Sequence, residues 1–186
     1  MVGLGNPGPR YERTRHNAGF LVIDELAART RAAGRLLTDA WIAEATLGGA
    51  QALLVKPLSF MNLSGEPVAR LLAERGLSPA ELVVVVDDVA LPLGRVRVRA
   101  HGSDGGHNGL RSLVAALGSE EFARVRIGVG VEPPPDLDLA DFVLAQFLPE
   151  ELPRLREVTV LAADAVACLL EDGAEAAMNR FNGRRV

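Results

Sequence analysis

Leu82-Val83-Val84-Val85-Val86-Asp87-Asp88 decides how the rest of this chain is read. A short, nearly pure valine run suits a strand buried inside a sheet, and here it closes on two carboxylates. Carboxylates at the end of such a strand mark a site at the sheet edge. Working outward, further strands are expected at 2–5, 41–47, 51–56, 95–99 and 125–129. Gly48-Gly49 joins the second and third of these as a two-residue hairpin turn. Residues 95–99 alternate Arg and Val, which puts three arginines on one face and two valines on the other. Helical patterns fall between the strands at 17–33, 66–75 and 108–117, with a long one near 152–170. Ser64 is expected to cap the second helix and Gly76 to end it. Short apolar runs alternating with helices give an α/β architecture.

The chain has 186 residues, 48% of them hydrophobic and 24% charged, which suits one packed domain over 1–186. Its apolar runs are far shorter than the roughly 20 residues a membrane span requires, and no leader pattern precedes Gly3. The single Cys168 excludes a disulfide framework and a cysteine-based zinc site, and the cytosol is the compartment expected. The net charge of −4 excludes a generally basic nucleic-acid coat. Charge is nevertheless segregated. Residues 132–175 carry eleven acids against two bases, whereas residues 95–126 carry six arginines against three acids. One local basic surface therefore remains available. Glu132-Pro133-Pro134-Pro135-Asp136 reads as a linker, placed too late to separate two domains.

Several motifs compete for the chemistry. Gly3-Leu4-Gly5-Asn6-Pro7-Gly8 matches the dinucleotide fingerprint, which requires a helix to begin at its third glycine. Pro7 and Pro9 bracket that glycine, and Arg10-Tyr11-Glu12-Arg13 offers no apolar helical face. A rigid turn presenting Asn6 is the better reading. His101-x-x-Asp104-x-x-His107 is interrupted by glycines and lacks a fourth ligand, so it reads as a loop and not a metal site. There is no nucleophile elbow, and Cys168 sits in an apolar helical run. Of the three histidines, His16 and His107 each precede an asparagine. A neutral histidine is the natural proton acceptor for activating water, and Asp87 is an economical orienting partner for one.

These segments together resemble bacterial-type peptidyl-tRNA hydrolase. The matching residues are Val2-Gly3-Leu4-Gly5-Asn6-Pro7-Gly8, Tyr11, Thr14-Arg15-His16-Asn17-Ala18-Gly19-Phe20, Lys56-Pro57 and Phe60-Met61-Asn62-Leu63-Ser64-Gly65. They continue with Asp87-Asp88, Leu91-Pro92, Gly94, Gly105-Gly106-His107-Asn108-Gly109-Leu110, Arg124 to Gly130 and Ala177-Met178-Asn179-Arg180-Phe181. The blocks occur in family order over nearly the whole chain. The resemblance implies one α/β domain with a twisted mixed sheet flanked by helices. It also implies hydrolysis of the ester joining a peptide to the 3′-terminal ribose of tRNA, by a monomer without metal or cofactor.

By the same resemblance His16 is the catalytic base and Asp87 orients it. Asn6, Asn62 and Asn108 supply amides to the substrate, Tyr11 and Met61 shape the apolar part of the cleft, and Arg99 with Arg126 grips the tRNA 5′-phosphate. Three departures from the family pattern carry expectations. The first strand starts late at Met1-Val2, so its pairing should be weaker. Ala90 replaces a common Asp, and Asp104 adds a negative charge to the glycine-rich loop, which should weaken tRNA binding. The alternative is a non-catalytic RNA-binding relative resembling plant organelle splicing factors. Retention of His16, Asp87 and the three amides argues against it.

Overall fold

A computed structural model describes residues 1–130 and 138–186, so the linker expected at 132–136 lies outside the described residues. The chain runs β1 (Val2–Gly3), α1 (Ala18–Thr30), β2 (Gly34–Leu36), β3 (Ala40–Leu47), β4 (Ala50–Pro57), α2 (Gly65–Arg75) and β5 (Val83–Asp88). It continues with β6 (Val96–Arg99), α3 (Asn108–Leu117), β7 (Ala123–Gly128), α4 (Leu139–Leu144) and α5 (Leu152–Phe181). The strands form one sheet in the order β2-β3-β4-β1-β5-β7-β6. Pairs β4–β1, β1–β5 and β5–β7 are parallel, and the flanking pairs are antiparallel.

The valine run explains this architecture. Along β5 alternate side chains enter two different cores, because neighbouring residues of a strand point to opposite faces. Val83 and Val85 pack with Ile23 and Leu26 of α1 and Val158 and Ala162 of α5. Val84 and Val86 pack with Leu71 of α2 and Leu110 and Leu113 of α3. Each such buried aliphatic contributes on the order of 1.5–3 kcal/mol. A strand covered on both faces has no polar side, which is why its sequence does not alternate.

The hairpin at Gly48-Gly49 forms with φ positive at both residues (54° and 78°), as its turn type requires. Gly76 ends α2 in the left-handed region as expected. Ser64 does not cap it: the hydroxyl donates to Met61 O at 2.9 Å, so the expected cap is replaced by a bond back into the preceding turn. The helix expected at 17–33 ends at Thr30, where Arg31 turns left-handed (φ 52°). The long helix runs on to Phe181, broken at Gly173. The first strand shortens to Val2–Gly3, although the Leu4 N–H still donates to Val85 O at 2.9 Å. Two elements had no sequence signal. β2 is three exposed residues defined only by pairing with β3, and α4 is a six-residue helix.

Glycines bring α1 unusually close to the sheet. A Cβ on Gly19 would collide with Val85 O and Leu4 N, and one on Gly3 would collide with Gly19 O. Their absence lets the chain just before α1 lie directly against the ends of β1 and β5. That chain is the 3₁₀ turn Arg15–Asn17, which carries His16.

Candidate active site

His16 leaves this turn nine-tenths buried and meets the carboxylate that closes β5. Its Nδ1 lies 2.9 Å from Asp87 Oδ1 and 3.0 Å from Oδ2. An ionised carboxylate only accepts, so Nδ1 carries a hydrogen, and in the neutral ring the lone pair is then on Nε2. Asp87 therefore fixes the tautomer in which the outer nitrogen can take a proton.

A second histidine completes the cluster, and sequence reasoning did not place it in the site. His107 precedes α3 as its N-cap, and its Nδ1 accepts from the Gly109 and Leu110 N–H groups at 3.1 and 3.3 Å. The remaining proton must sit on Nε2, which donates to Asp87 Oδ1 at 3.0 Å. The two rings lie 4.9 Å apart across the carboxylate. The signal for His107 was present in its position directly ahead of an apolar helical pattern, where an unprotonated ring nitrogen can cap. Burial alone would raise the Asp87 pKa. The His107 and His16 imidazoles outweigh it and hold the carboxyl well below the usual carboxylate range.

The cluster opens into a cleft of about 390 Å³, walled by the Gly105-Gly106 loop, Asn108, Arg126 and, from α4, Leu139 and Val143. His16, Asp87, Asn108 and Arg126 are thus brought together. The other expected residues occupy neighbouring positions. Asn6 is buried, and its Oδ1 accepts from the Met61 N–H at 2.8 Å, which leaves its amide N–H₂ as the group free to donate. Asn17 holds Asn6 reciprocally, accepting from its N–H (2.8 Å) and donating to its carbonyl (3.0 Å). Met61 is buried in the α2–α3 core. Asn62 is exposed and shares a groove with Asn108 rather than the His16 cleft. Tyr11 packs edge-on against the half-exposed ring of Phe60, 6.5 Å between centroids.

The arginines divide by role. In the β6–β7 register Arg97 opposes Arg126 and Arg99 opposes Arg124, so all four side chains share one face. Arg99 is exposed at the sheet edge. Arg126 turns into the cleft, its Nε 3.1 Å from Asp88 Oδ2. Arg124 is fully buried on the Phe122 ring, and donates to the carbonyls of Gly102, Ser103, Glu120 and Phe122. It staples the glycine-rich loop that leads to His107, a role its place in an alternating strand pattern did not reveal. Asp104 lies partly exposed in the glycine-rich loop and closes a turn there. Its Oδ1 accepts from the Gly106 N–H at 2.7 Å and lies 3.7 Å from Arg111.

His16, Asp87 and His107 form the one group among the described residues whose donor atoms could converge on a metal ion. Within it Asp87 Oδ1 is shared between His16 Nδ1 and His107 Nε2. No helix among the described residues is long and apolar enough to cross a membrane. The Gly3–Gly8 turn is not followed by a helix. Ordered helical chain resumes only at Arg15, so a dinucleotide pyrophosphate has no helix N-terminus to meet.

Comparison with known proteins agrees with this geometry. The family model described as peptidyl-tRNA hydrolase matches residues 1–186. A peptidyl-tRNA hydrolase of Chloroflexus aggregans is 49% identical over 98% of this chain and 97% of its own. One from Thermotoga petrophila is 45% identical over 100% and 98%. The crystal structure of peptidyl-tRNA hydrolase from Acinetobacter baumannii superposes with a TM-score of 0.91 at 29% identity, covering 99% of this chain and 94% of that one. Catalysis, rather than non-enzymatic RNA binding, is the reading these relatives support. With the family motifs running from end to end and a buried His–Asp–His cluster at the sheet edge, the chain belongs to the peptidyl-tRNA hydrolase family.

Proposed function

We propose that His16 Nε2 is the general base of this hydrolase. It takes a proton from water as the water oxygen attacks the ester carbonyl between peptide and 3′-terminal ribose. The tetrahedral intermediate then expels the ribose oxygen, which recovers that proton from the imidazolium. The products are a peptide carboxylate and free tRNA. The observation that carries this reading is the Nδ1–Asp87 pair, which in the neutral ring puts the lone pair on Nε2 and offers the nascent imidazolium a counter-charge. General-base catalysis of this kind supplies on the order of 10²–10⁴ in rate.

The remaining roles follow from donor and acceptor inventory. The Asn6 amide N–H₂ and the Asn108 side chain hold substrate carbonyls or the developing oxyanion, and Asn62, from the adjoining groove, holds a more distant part of the substrate, all without changing the charge of the site. Tyr11 and Met61 bound its apolar side. Arg99 and Arg126 grip the tRNA 5′-phosphate, for which a guanidinium fork is well shaped. Residues 1–186 act as one domain, as a monomer in the cytoplasm, and the reaction uses no metal or cofactor.

The test is release of free tRNA from N-acetyl-aminoacyl-tRNA compared with unblocked aminoacyl-tRNA. Strong preference for the blocked substrate is expected. Equal cleavage of both would remove the peptide end from recognition.

A further inference from the structure

Arg15 sits beside His16 in the same 3₁₀ turn, yet its side chain runs the other way, into the segment that walls the cleft. It is only 6% exposed. Its guanidinium lies between two aromatic rings, 4.6 Å from the Phe142 centroid and 4.8 Å from that of Phe147. It donates two parallel bonds to Glu151, at 3.0 and 2.8 Å, and a third to Val129 O at 2.9 Å. The backbone repeats the connection. Arg15 N–H donates to Ala145 O, Phe147 N–H donates to Arg13 O, and Thr14 bridges Gln146.

We infer that Arg15 is a positioning residue that braces α4 as the wall of the His16 cleft and thereby sets substrate affinity. α4 is six residues long and has no side-chain cap at its N-terminus, so such a helix holds its place mainly through tertiary contacts. Three of its residues, Leu139, Ala140 and Val143, line the cleft. Phe142, on the same helix, is the face that Arg15 grips. His16 is held separately by Asp87, and Asn17 by Asn6. Loss of the brace should therefore loosen the wall and leave the base oriented. Lysine cannot substitute, because it neither bonds both Glu151 oxygens in a plane nor stacks between two rings. The inference rests on this cleft being the ester site.

The test combines kinetics with hydrogen exchange on the full chain. With chemistry slow relative to substrate dissociation, KM reports binding. Arg15→Met should raise KM for N-acetyl-aminoacyl-tRNA by roughly five- to thirtyfold, with kcat and the midpoint of its pH profile nearly unchanged. Arg15→Lys should not restore it. Glu151→Gln should show a milder rise, and the double variant should be no worse than Arg15→Met alone, because both act through one contact. Amides of 139–147 should exchange faster in each variant without substrate. If Arg15→Met does not fold, Glu151→Gln carries both measurements.

Unchanged exchange of 139–147 would overturn the brace whatever the kinetics. Faster exchange with unaltered KM would instead show that the wall is braced but that this cleft is not where substrate binds. A fall in kcat with KM constant would place Arg15 in support of His16 and refute the inference.

Discussion

Replacing Asp87 with asparagine tests the cluster most searchingly, because the change is nearly isosteric and alters only donors and charge. Asp87 Oδ1 accepts from both His16 Nδ1 and His107 Nε2, and Oδ2 accepts from His16 again. An asparagine oxygen can replace Oδ1, but its amide nitrogen, in the place of Oδ2, then faces the His16 Nδ1–H donor to donor. The imidazole of His16 relieves that clash by moving its proton to Nε2, the atom that must accept from water. Losing a charge-assisted hydrogen bond costs about 1.5–3 kcal/mol, and leaving or inverting a buried donor about 1–3 kcal/mol more. Together these raise the barrier enough to slow hydrolysis by about 10²–10⁴.

Single-turnover release of tRNA by Asp87→Asn, with folding checked by circular dichroism, measures this directly. Retention of kcat within tenfold in a folded variant would refute the tautomer argument. The same substitution carries a pH signature in stability. The folded carboxyl is held below its ordinary value, so its ionisation stabilises the native state above the ordinary carboxylate pKa of 3.8. That contribution is lost as pH falls through the depressed folded value. Chemical denaturation of Asp87→Asn should therefore show a shallower loss of stability below pH 4 than the parent chain.

Other substitutions separate the remaining roles. His107→Ala should cost about 1 kcal/mol by uncapping α3 and should also lower kcat, whereas His107→Asn should restore thermal stability without restoring rate. Equal recovery of both would make His107 purely a cap. Asn62→Ala and Asn108→Ala should slow hydrolysis without moving the pH–rate midpoint, and a large shift in either would reveal a hydrogen bond that tunes the base. Arg99→Ala should raise KM for full tRNA, flatten its salt dependence and spare a minimal CCA-ester. Dephosphorylating the tRNA should mimic it without adding to it. Arg126→Ala should differ by leaving buried Asp88 unpaired, at a cost of about 3 kcal/mol in denaturant titration. Unaltered stability would show that the Arg126–Asp88 contact is slack.

The central strand and its terminal carboxylates were legible because a fully buried strand has only one way to write itself. His16 and Asp87 were legible too, one at a helix entrance and the other at a strand end. What the sequence concealed was dependence between distant segments. β2 has no pattern because it is exposed on every residue and exists through its partner. α4 is placed by Arg15, Phe142 and Phe147, contacts spanning more than a hundred residues. The division among the arginines was equally hidden. Arg99, Arg124 and Arg126 look alike along their strands, yet one is exposed, one is sealed against carbonyls and one is paired with Asp88. Asp104 reads in the sequence as an added charge, and its bond to the Gly106 N–H within the loop was not legible there. Local pattern reports which face a side chain takes, but not which partner awaits it there.

Hydrolysis at this site turns on His16. Purified His16→Ala should bind N-acetyl-aminoacyl-tRNA with nearly the parent affinity, because phosphate contacts dominate binding. It should release free tRNA at least 10²–10⁴ times more slowly. Quantifying ester cleavage and tRNA affinity on the same preparation decides the matter. A folded variant that binds and still turns over near the parent rate would show that another group activates the water.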